Sequence, residues 1–313
     1  MKANLIALLI LLLFISTSLF AKPIEKTVSI DTGTGILEGT LLTTNNNQAK
    51  AVALIIAGSG PTDRNGNGPS MTNNSLKLLA EQLNNHGISS LRYDKRGVGK
   101  SANAGLKESD LRFEHYIEDA ISWITYLKKL NNFNKIVVIG HSEGSLIGMI
   151  ASQNKHVDMF VSLAGAGQPI DQIIREQLKA QPPMVLEKST PILDALLRGK
   201  TVEQVPAFLH ALFRPSVQPY MISWFKYDPQ QQLAKLQKPI LIVQGDTDLQ
   251  VSVNNANKLA SANKSAKKVI IQQMNHIFKQ APLDKQSNFQ TYNQPNLPIK
   301  VELVNAVSEF IQD

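Results

Sequence analysis

The sequence predicts an α/β fold, a mainly parallel sheet with helices on both faces. Three observations carry this. Short, unbroken apolar runs recur along the chain, as at residues 51–57, 136–139 and 239–243, the pattern of strands buried on both faces. Stretches with helical spacing of apolar residues separate these runs, so strand and helix alternate and the strands must cross over in parallel. Hydrophobic residues make up 43% of the 313 and charged residues 18%, enough apolar surface to build a core and to exclude global disorder.

The elements follow in order. Residues 27–30 and 36–41 read as two strands joined by the Gly-rich turn Asp31-Thr32-Gly33-Thr34-Gly35. The first buried strand is 51–57. Leu76, Leu79, Ala80 and Leu83 have helical spacing, with Gly87 as a stop. A second buried strand spans 88–93. Phe113, Ile117, Ala120, Ile121, Ile124 and Leu127 mark a longer helix that starts near Asp110. Strand 136–139 is followed by a helix of small and apolar residues from Ser145, and strand 157–163 comes next. Strands 239–243 and 269–271 flank a helical stretch at 254–262, and a helix over 301–311 closes the chain. Between 166 and 236 the alternation stops. Helical patterns there are interrupted by Pro169, Pro182, Pro183, Pro191, Pro206, Pro215 and Pro219, which reads as a helical cap inserted over the strand ends. The expected organisation is a core of 22–165 and 237–313 with a cap at 166–236.

The N-terminus carries Met1-Lys2, an apolar run from residue 5 to 15, and then Ser16-Thr17-Ser18-Leu19-Phe20-Ala21. A basic start, a short apolar stretch and a small residue before a polar one make a signal peptide over 1–21, with cleavage after Ala21, although Leu19 is a poor fit to the small residue wanted two positions earlier. The expectation is a periplasmic or secreted protein with no stable membrane span after cleavage. An uncleaved segment would instead anchor the chain at its N-terminus. Cysteine is absent, which excludes a disulfide scaffold, a thiolate metal site and a cysteine nucleophile. The 32 basic residues exceed the 25 acidic ones by 7, but no Lys/Arg run is longer than two, so no nucleic-acid partner is expected.

Gly140-His141-Ser142-Glu143-Gly144 matches G-x-S-x-G, directly after a buried strand and directly before a helix, which is the setting that motif requires. The tight turn exposes Ser142 as a nucleophile. A serine needs a base held by an acid. Of six histidines, His86, His115, His156 and His210 lie in polar or peripheral contexts, and His141 adjoins the nucleophile with its ring expected to point elsewhere. His276 is in the loop after the last strand, where a base can reach Ser142. The acid should lie between them in chain order. Gly245-Asp246-Thr247-Asp248 follows strand 239–243 and offers Asp248, with Asp246 in reserve; the one not used would serve as a turn former. An oxyanion site needs two backbone N–H groups. Glu143 supplies one, and the loop Gly58-Ser59-Gly60-Pro61 after the first buried strand the other, with Ser59 N–H as the donor and Gly60 second.

These elements, with Leu91-Arg92-Tyr93-Asp94-Lys95-Arg96-Gly97-Val98-Gly99-Lys100-Ser101 after the second buried strand, resemble the α/β-hydrolase superfamily. More closely, the chain is similar to bacterial exported hydrolases of serine-aminopeptidase-like or lysophospholipase-like type, some of which are esterases. Phe213-Arg214-Pro215-Ser216-Val217-Gln218-Pro219-Tyr220, Ser223-Trp224-Phe225 and Asp248-Leu249-Gln250-Val251 share that similarity, which covers nearly everything after the signal. The resemblance implies an α/β-hydrolase fold, places Ser142, Asp248 and His276 at the triad positions, and calls for no cofactor and no metal. Gly58-Ser59-Gly60-Pro61 stands where lipases carry a His-Gly loop, so the resemblance does not extend to a lipase.

Two other motifs fail on spacing. Gly97-Val98-Gly99-Lys100-Ser101 ends like a phosphate-binding Walker loop, but the required earlier glycine is Asp94. Asp63-Arg64-Asn65-Gly66-Asn67-Gly68 opens like an EF-hand loop, but the position of its bidentate glutamate is Asn74. Within the cap, Phe208, Phe213, Tyr220, Trp224, Phe225 and Tyr227 crowd together. Phe213, Tyr220, Trp224 and Phe225 are candidates for a pocket over Ser142, the alternative being the cap's own core. Arg175 and Arg214 are candidates for binding a substrate carboxylate, set against plain solvation.

The functional expectation is a serine hydrolase that cleaves a small-molecule acyl ester. A peptidase or aminopeptidase on the same triad is the alternative within the fold, and a catalytically silent binding protein the alternative outside it.

Overall fold

The computed structural model describes residues 24–44 and 50–313; the signal segment expected at 1–21 lies outside the described residues. Eight strands form one sheet: β1 (Ile24–Asp31), β2 (Ile36–Thr43), β3 (Ala51–Ile56), β4 (Ser89–Tyr93), β5 (Lys135–His141), β6 (Met159–Leu163), β7 (Ile240–Gly245) and β8 (Lys267–Ile271). They lie in the order β1-β2-β4-β3-β5-β6-β7-β8. The hairpin β1–β2 pairs antiparallel within itself and with β4, and from β4 to β8 every neighbouring pair is parallel. The fold is the expected one, with an antiparallel hairpin extending a parallel sheet.

The burial of β3 shows why its sequence is a continuous apolar run. Val52, Leu54 and Ile56 pack into the core on one face, while Ala51, Ala53 and Ile55 pack into the core on the other. Side chains alternate across a strand, so a strand covered on both sides has no position left for a polar residue. Helices α1 (Ser75–Asn85) and α11 (Val301–Gln312) cover the second face. The first is covered by α2 (Phe113–Leu130), α3 (Glu143–Ala151), α8 (Pro229–Ala234) and α9 (Val253–Ala262). Helix α2 begins at Phe113 rather than near Asp110, because Glu108–Asp110 forms a separate 3₁₀ turn.

Between β6 and β7 the chain forms α4 (Ile170–Lys179), α5 (Pro183–Leu197), α6 (His210–Phe213) and α7 (Gln218–Trp224), then α8. Of the prolines that interrupt the pattern, Pro183 and Pro219 sit at helix starts, where a missing N–H costs nothing, and Pro229 does the same in α8. A third apolar cluster lies within this segment and includes Leu193, Leu196, Phe213 and Met221. Helix α10 (Lys285–Gln290) lies in the connection between β8 and α11. Among the described residues no helix is long and apolar enough to cross a membrane.

The topology creates a crevice. From β3 the chain crosses to β4 on one side, and from β5 to β6 on the other. The loops leaving the C-terminal ends of the adjacent strands β3 and β5 therefore diverge, the arrangement at which open α/β sheets place their ligands.

Candidate active site

Ser142 follows β5 and has φ 55° and ψ −118°, a region that L-residues rarely occupy. Its N–H is held by the Leu163 carbonyl at 2.9 Å. The flanking glycines permit this turn by close approach. A Cβ on Gly140 would lie 2.2 Å from the Gly144 oxygen, and one on Gly144 would lie 2.4 Å from the Ile56 oxygen. The turn thus packs directly on the end of β3, with Ser142 at the start of α3, where the helix dipole favours developing negative charge.

Asp248 and His276 come together from the ends of β7 and β8. His276 Nδ1 lies 2.8 Å from Asp248 Oδ2. Both residues are buried. Asp248 also accepts the N–H groups of Gln250 at 2.8 Å and Val251 at 2.9 Å, and the Gln244 amide at 2.9 Å. Burial pushes its carboxyl up, but the His276 ring and the N–H groups of Val251 and Gln250 outweigh that, so it stays below the ordinary carboxylate value. A carboxylate only accepts, so Nδ1 carries the proton and Nε2 of His276 is left free to accept one. The reserve acid Asp246 is engaged differently: its Oδ1 accepts the Gln273 N–H at 2.6 Å. It ties the two loops together rather than forming a turn within its own.

His276 is placed by residues whose role was not legible beforehand. Asn275 is buried, and its Oδ1 accepts from the backbone of Ile277 at 3.2 Å and Lys279 at 3.0 Å, while its amide reaches Thr291 Oγ1 at 2.8 Å. His141, next to Ser142, sends Nε2 to the His276 carbonyl at 2.9 Å. Desolvation, then the neighbouring His276, lower its value to about 3, so it is a neutral tether between the serine turn and the His276 loop. Two other histidines have structural work: His115 Nδ1 accepts the Arg112 N–H at 3.1 Å and His210 bonds the Val205 carbonyl.

The loop after β3 runs against the same centre, since a Cβ on Gly58 would touch Ser142 Cβ at 3.3 Å. Arg64 staples this loop to the sheet through Asp94 at 2.8 Å and Glu38 at 2.7 Å. The EF-hand-like stretch is an internally bonded turn. Asp63 Oδ1 accepts from Asn65 at 2.8 Å and Asn67 at 2.9 Å, and Asn67 Oδ1 accepts from Asn73 and Asn74 at 2.9 Å. In the Walker-like stretch, the Lys100 N–H donates to Asp94.

A cavity of about 720 Å³ opens over Ser142 and Glu143, between Ser59-Gly60-Pro61 and the inserted helices. Leu146, Ile174, Leu212, Met221, Tyr220 and Trp224 are among its walls. Two pocket expectations are corrected here. Phe213 is fully buried in the insertion's own core and Phe225 packs on that core, and neither lines the cavity. Both carboxylate-binding candidates are already paired: Arg175 with Asp194 at 2.5 Å, and Arg214 with Glu108 at the cavity wall. Sequence reasoning missed a buried cluster beneath the cavity, formed by Lys95, the Glu143 side chain and Tyr220.

A family model described as serine aminopeptidase, S33 matches residues 68–217, a span that includes Ser142 but neither Asp248 nor His276. Esterase EstD of Thermotoga maritima is 26% identical over 232 residues, which are 72% of this chain and 53% of that protein; the chain spans about half the length of this curated relative. Among solved structures, Est1E from Butyrivibrio proteoclasticus with ferulic acid bound superposes with a TM-score of 0.63 at 22% identity, covering 91% of this chain and all of that one. The esterase Pf2001 of Pyrococcus furiosus gives 0.60 at 18% identity, covering 93% and 91%. The dienelactone hydrolase of Anabaena variabilis gives 0.54 at 18%, covering 93% and 98%. Taken with the sheet order and the Gly-His-Ser-Glu-Gly turn at the end of β5, these likenesses show that the chain has the α/β-hydrolase fold.

Proposed function

We propose that this protein is an exported serine hydrolase that cleaves small carboxylic esters through an acyl-enzyme. The observation that carries the reading is the hydrogen bond from His276 Nδ1 to Asp248, 2.8 Å long and buried, on the sheet edge where Ser142 is held in its strained turn. In this reading Ser142 Oγ attacks the ester carbonyl while Nε2 of His276 takes its proton. Asp248 holds the ring and stabilises the imidazolium. The N–H groups of Ser59 and Glu143 receive the oxyanion. The imidazolium returns its proton to the departing alcohol, and water then attacks the acyl-enzyme by the same steps.

An ester substrate fits the cavity better than a peptide with a free amino terminus. Recognition of an ammonium needs an unpaired carboxylate, and the carboxylates that line the cavity are engaged: Glu108 by Arg214 and Ser216, and Glu143 by Lys95 and Tyr220. The walls are otherwise largely apolar, which suits an uncharged acyl group. The basic, apolar and small-residue pattern of residues 1–21 supports export to the periplasm or beyond.

The test is hydrolysis of a series of short to long nitrophenyl esters beside aminoacyl amides, with labelling by a fluorophosphonate. The wild type should label and should prefer esters. Ser142→Ala should lose the label and about 10⁵–10⁶ of its turnover. Half-retained activity in that variant would end the serine-hydrolase reading, faster turnover of the amides would move the protein to the peptidases, and no labelling of the wild type would leave a binding protein.

A further inference from the structure

Beneath the cavity floor sits an ammonium that the mechanism above does not use. Lys95 is 1% exposed. Its Nζ donates to the Gly58 carbonyl at 2.5 Å and to Glu143 Oε2 at 3.1 Å. It also lies 5.0 Å from the centroid of the Tyr116 ring. The other carboxylate oxygen, Glu143 Oε1, accepts from Tyr220 Oη at 2.5 Å. Burial, then the Glu143 charge, raise the Tyr220 phenol well above its ordinary value, so Tyr220 is a donor throughout the working range. A buried lysine is costly unless paired, and this one is paired with both halves of one functional unit.

Gly58 C=O and Ser59 N–H are the two ends of a single peptide group. That group is planar and trans, so its carbonyl and N–H point in opposite directions. Drawing the carbonyl toward Lys95 therefore aims the Ser59 N–H away from Lys95. The next carbonyl, that of Ser59, is held by Thr62 Oγ1 at 2.9 Å, which leaves the intervening residue little freedom to turn. The second contact of Lys95 is to the side chain of Glu143, whose backbone N–H is the other oxyanion donor. A charged donor on the carbonyl also polarises the peptide and strengthens its N–H as a donor.

We propose that Lys95 is the positioning residue of the oxyanion site: one ammonium sets the orientation of both donor peptides, and Tyr220 links the inserted helices to that setting through Glu143. The proposal rests on the ester-hydrolase reading. Without Lys95 the Gly58–Ser59 peptide can rotate and turn its carbonyl oxygen, rather than its N–H, toward the developing charge. Binding of the uncharged ester in the cavity above does not depend on this.

The experiment compares the wild type, Lys95→Met and the double variant Lys95→Met/Glu143→Gln. The readouts are kcat and KM on a short nitrophenyl ester, inhibition by an alkylboronic acid whose tetrahedral serine adduct places an oxygen in the oxyanion site, and thermal melting. Lys95→Met should lose about 10²-fold in kcat, the order of one lost oxyanion donor. KM should move by less than about threefold, since ground-state binding is retained. Boronate affinity should fall with kcat. The single variant should melt early because Glu143 is left charged and unpaired, and the double variant should recover its melting temperature while kcat stays low. Recovery of kcat together with melting, or undiminished boronate affinity in either variant, would make Lys95 a structural charge partner and overturn the proposal. A wild type that neither turns over esters nor labels with fluorophosphonate would overturn the hydrolase reading and this proposal with it, whereas full wild-type activity with unimpaired variants would overturn this proposal alone.

Discussion

Asp248 is held by four donors: the backbone of Gln250 and Val251, the Gln244 amide and His276 Nδ1. Gln250 and Val251 donate to Oδ1, and Gln244 and His276 to Oδ2, so an Asp248→Asn variant with its amide nitrogen in place of Oδ2 keeps the two backbone bonds that shape the loop while the charge facing the imidazole is lost. That substitution should lower kcat by about 10⁴, the order for a triad acid that loses its charge. Asp246→Asn should cost about tenfold or less, through a looser Gln273 contact and loop geometry alone. Steady-state kinetics on both, with melts to exclude unfolding, decide the matter, and the reverse ranking would move the acid to Asp246. The pair that the structure brings together, Asp248 and His276, stood among the sequence candidates because each follows an apolar run, with the resemblance choosing Asp248 over Asp246. Lys95 did not stand among them. Its contacts are with Gly58, Tyr116 and Glu143, which are remote in the chain.

At the scale of elements, the buried strands were legible because burial on both faces forces a continuous apolar run. The edge strand β8 shows only Ile271 buried, and its start at Lys267 was correspondingly hidden. Strand order was not legible either. No residue of β2 states that β4, rather than β3, is its neighbour, because that pairing is decided by backbone register and by the direction of the crossovers. The inserted helices were the least legible part. Their crowd of aromatics divides between two surroundings that composition does not separate. Tyr220 and Trp224 face the cavity, with Trp224 stacked on Phe113 at 5.6 Å, whereas Phe213 fills the insertion's own core. A consequence follows for Phe213→Ala. Removing a fully buried phenylalanine should destabilise the fold by about 3–5 kcal/mol, read as a lower urea midpoint. Folded protein should still label with fluorophosphonate, because Phe213 lines neither the cavity nor the serine turn. Unchanged stability would mean that this core is not packed as described.

For the whole molecule, the sheet bears on where the chain can be cut. The first described element, β1, begins at Ile24 and pairs with β2 along its full length, from Ile24 with Thr43 to Asp31 with Ile36. Within it, Glu25 pairs with the buried Arg92 at 3.0 Å. Removal of residues through Ala21 would take nothing from that pairing. A cut beyond Glu25 would leave Arg92 without its carboxylate. The sequence pattern puts the cleavage after Ala21. Intact-mass measurement of the protein exported from a Gram-negative host should give a chain beginning at Lys22 in the periplasmic or extracellular fraction. Ala21→Tyr, which puts a bulky residue where cleavage needs a small one, should shift the product to full length and into the membrane fraction while its fluorophosphonate labelling persists. A full-length, membrane-bound wild type would instead make residues 1–21 an anchor, with the same hydrolase core held at the membrane surface.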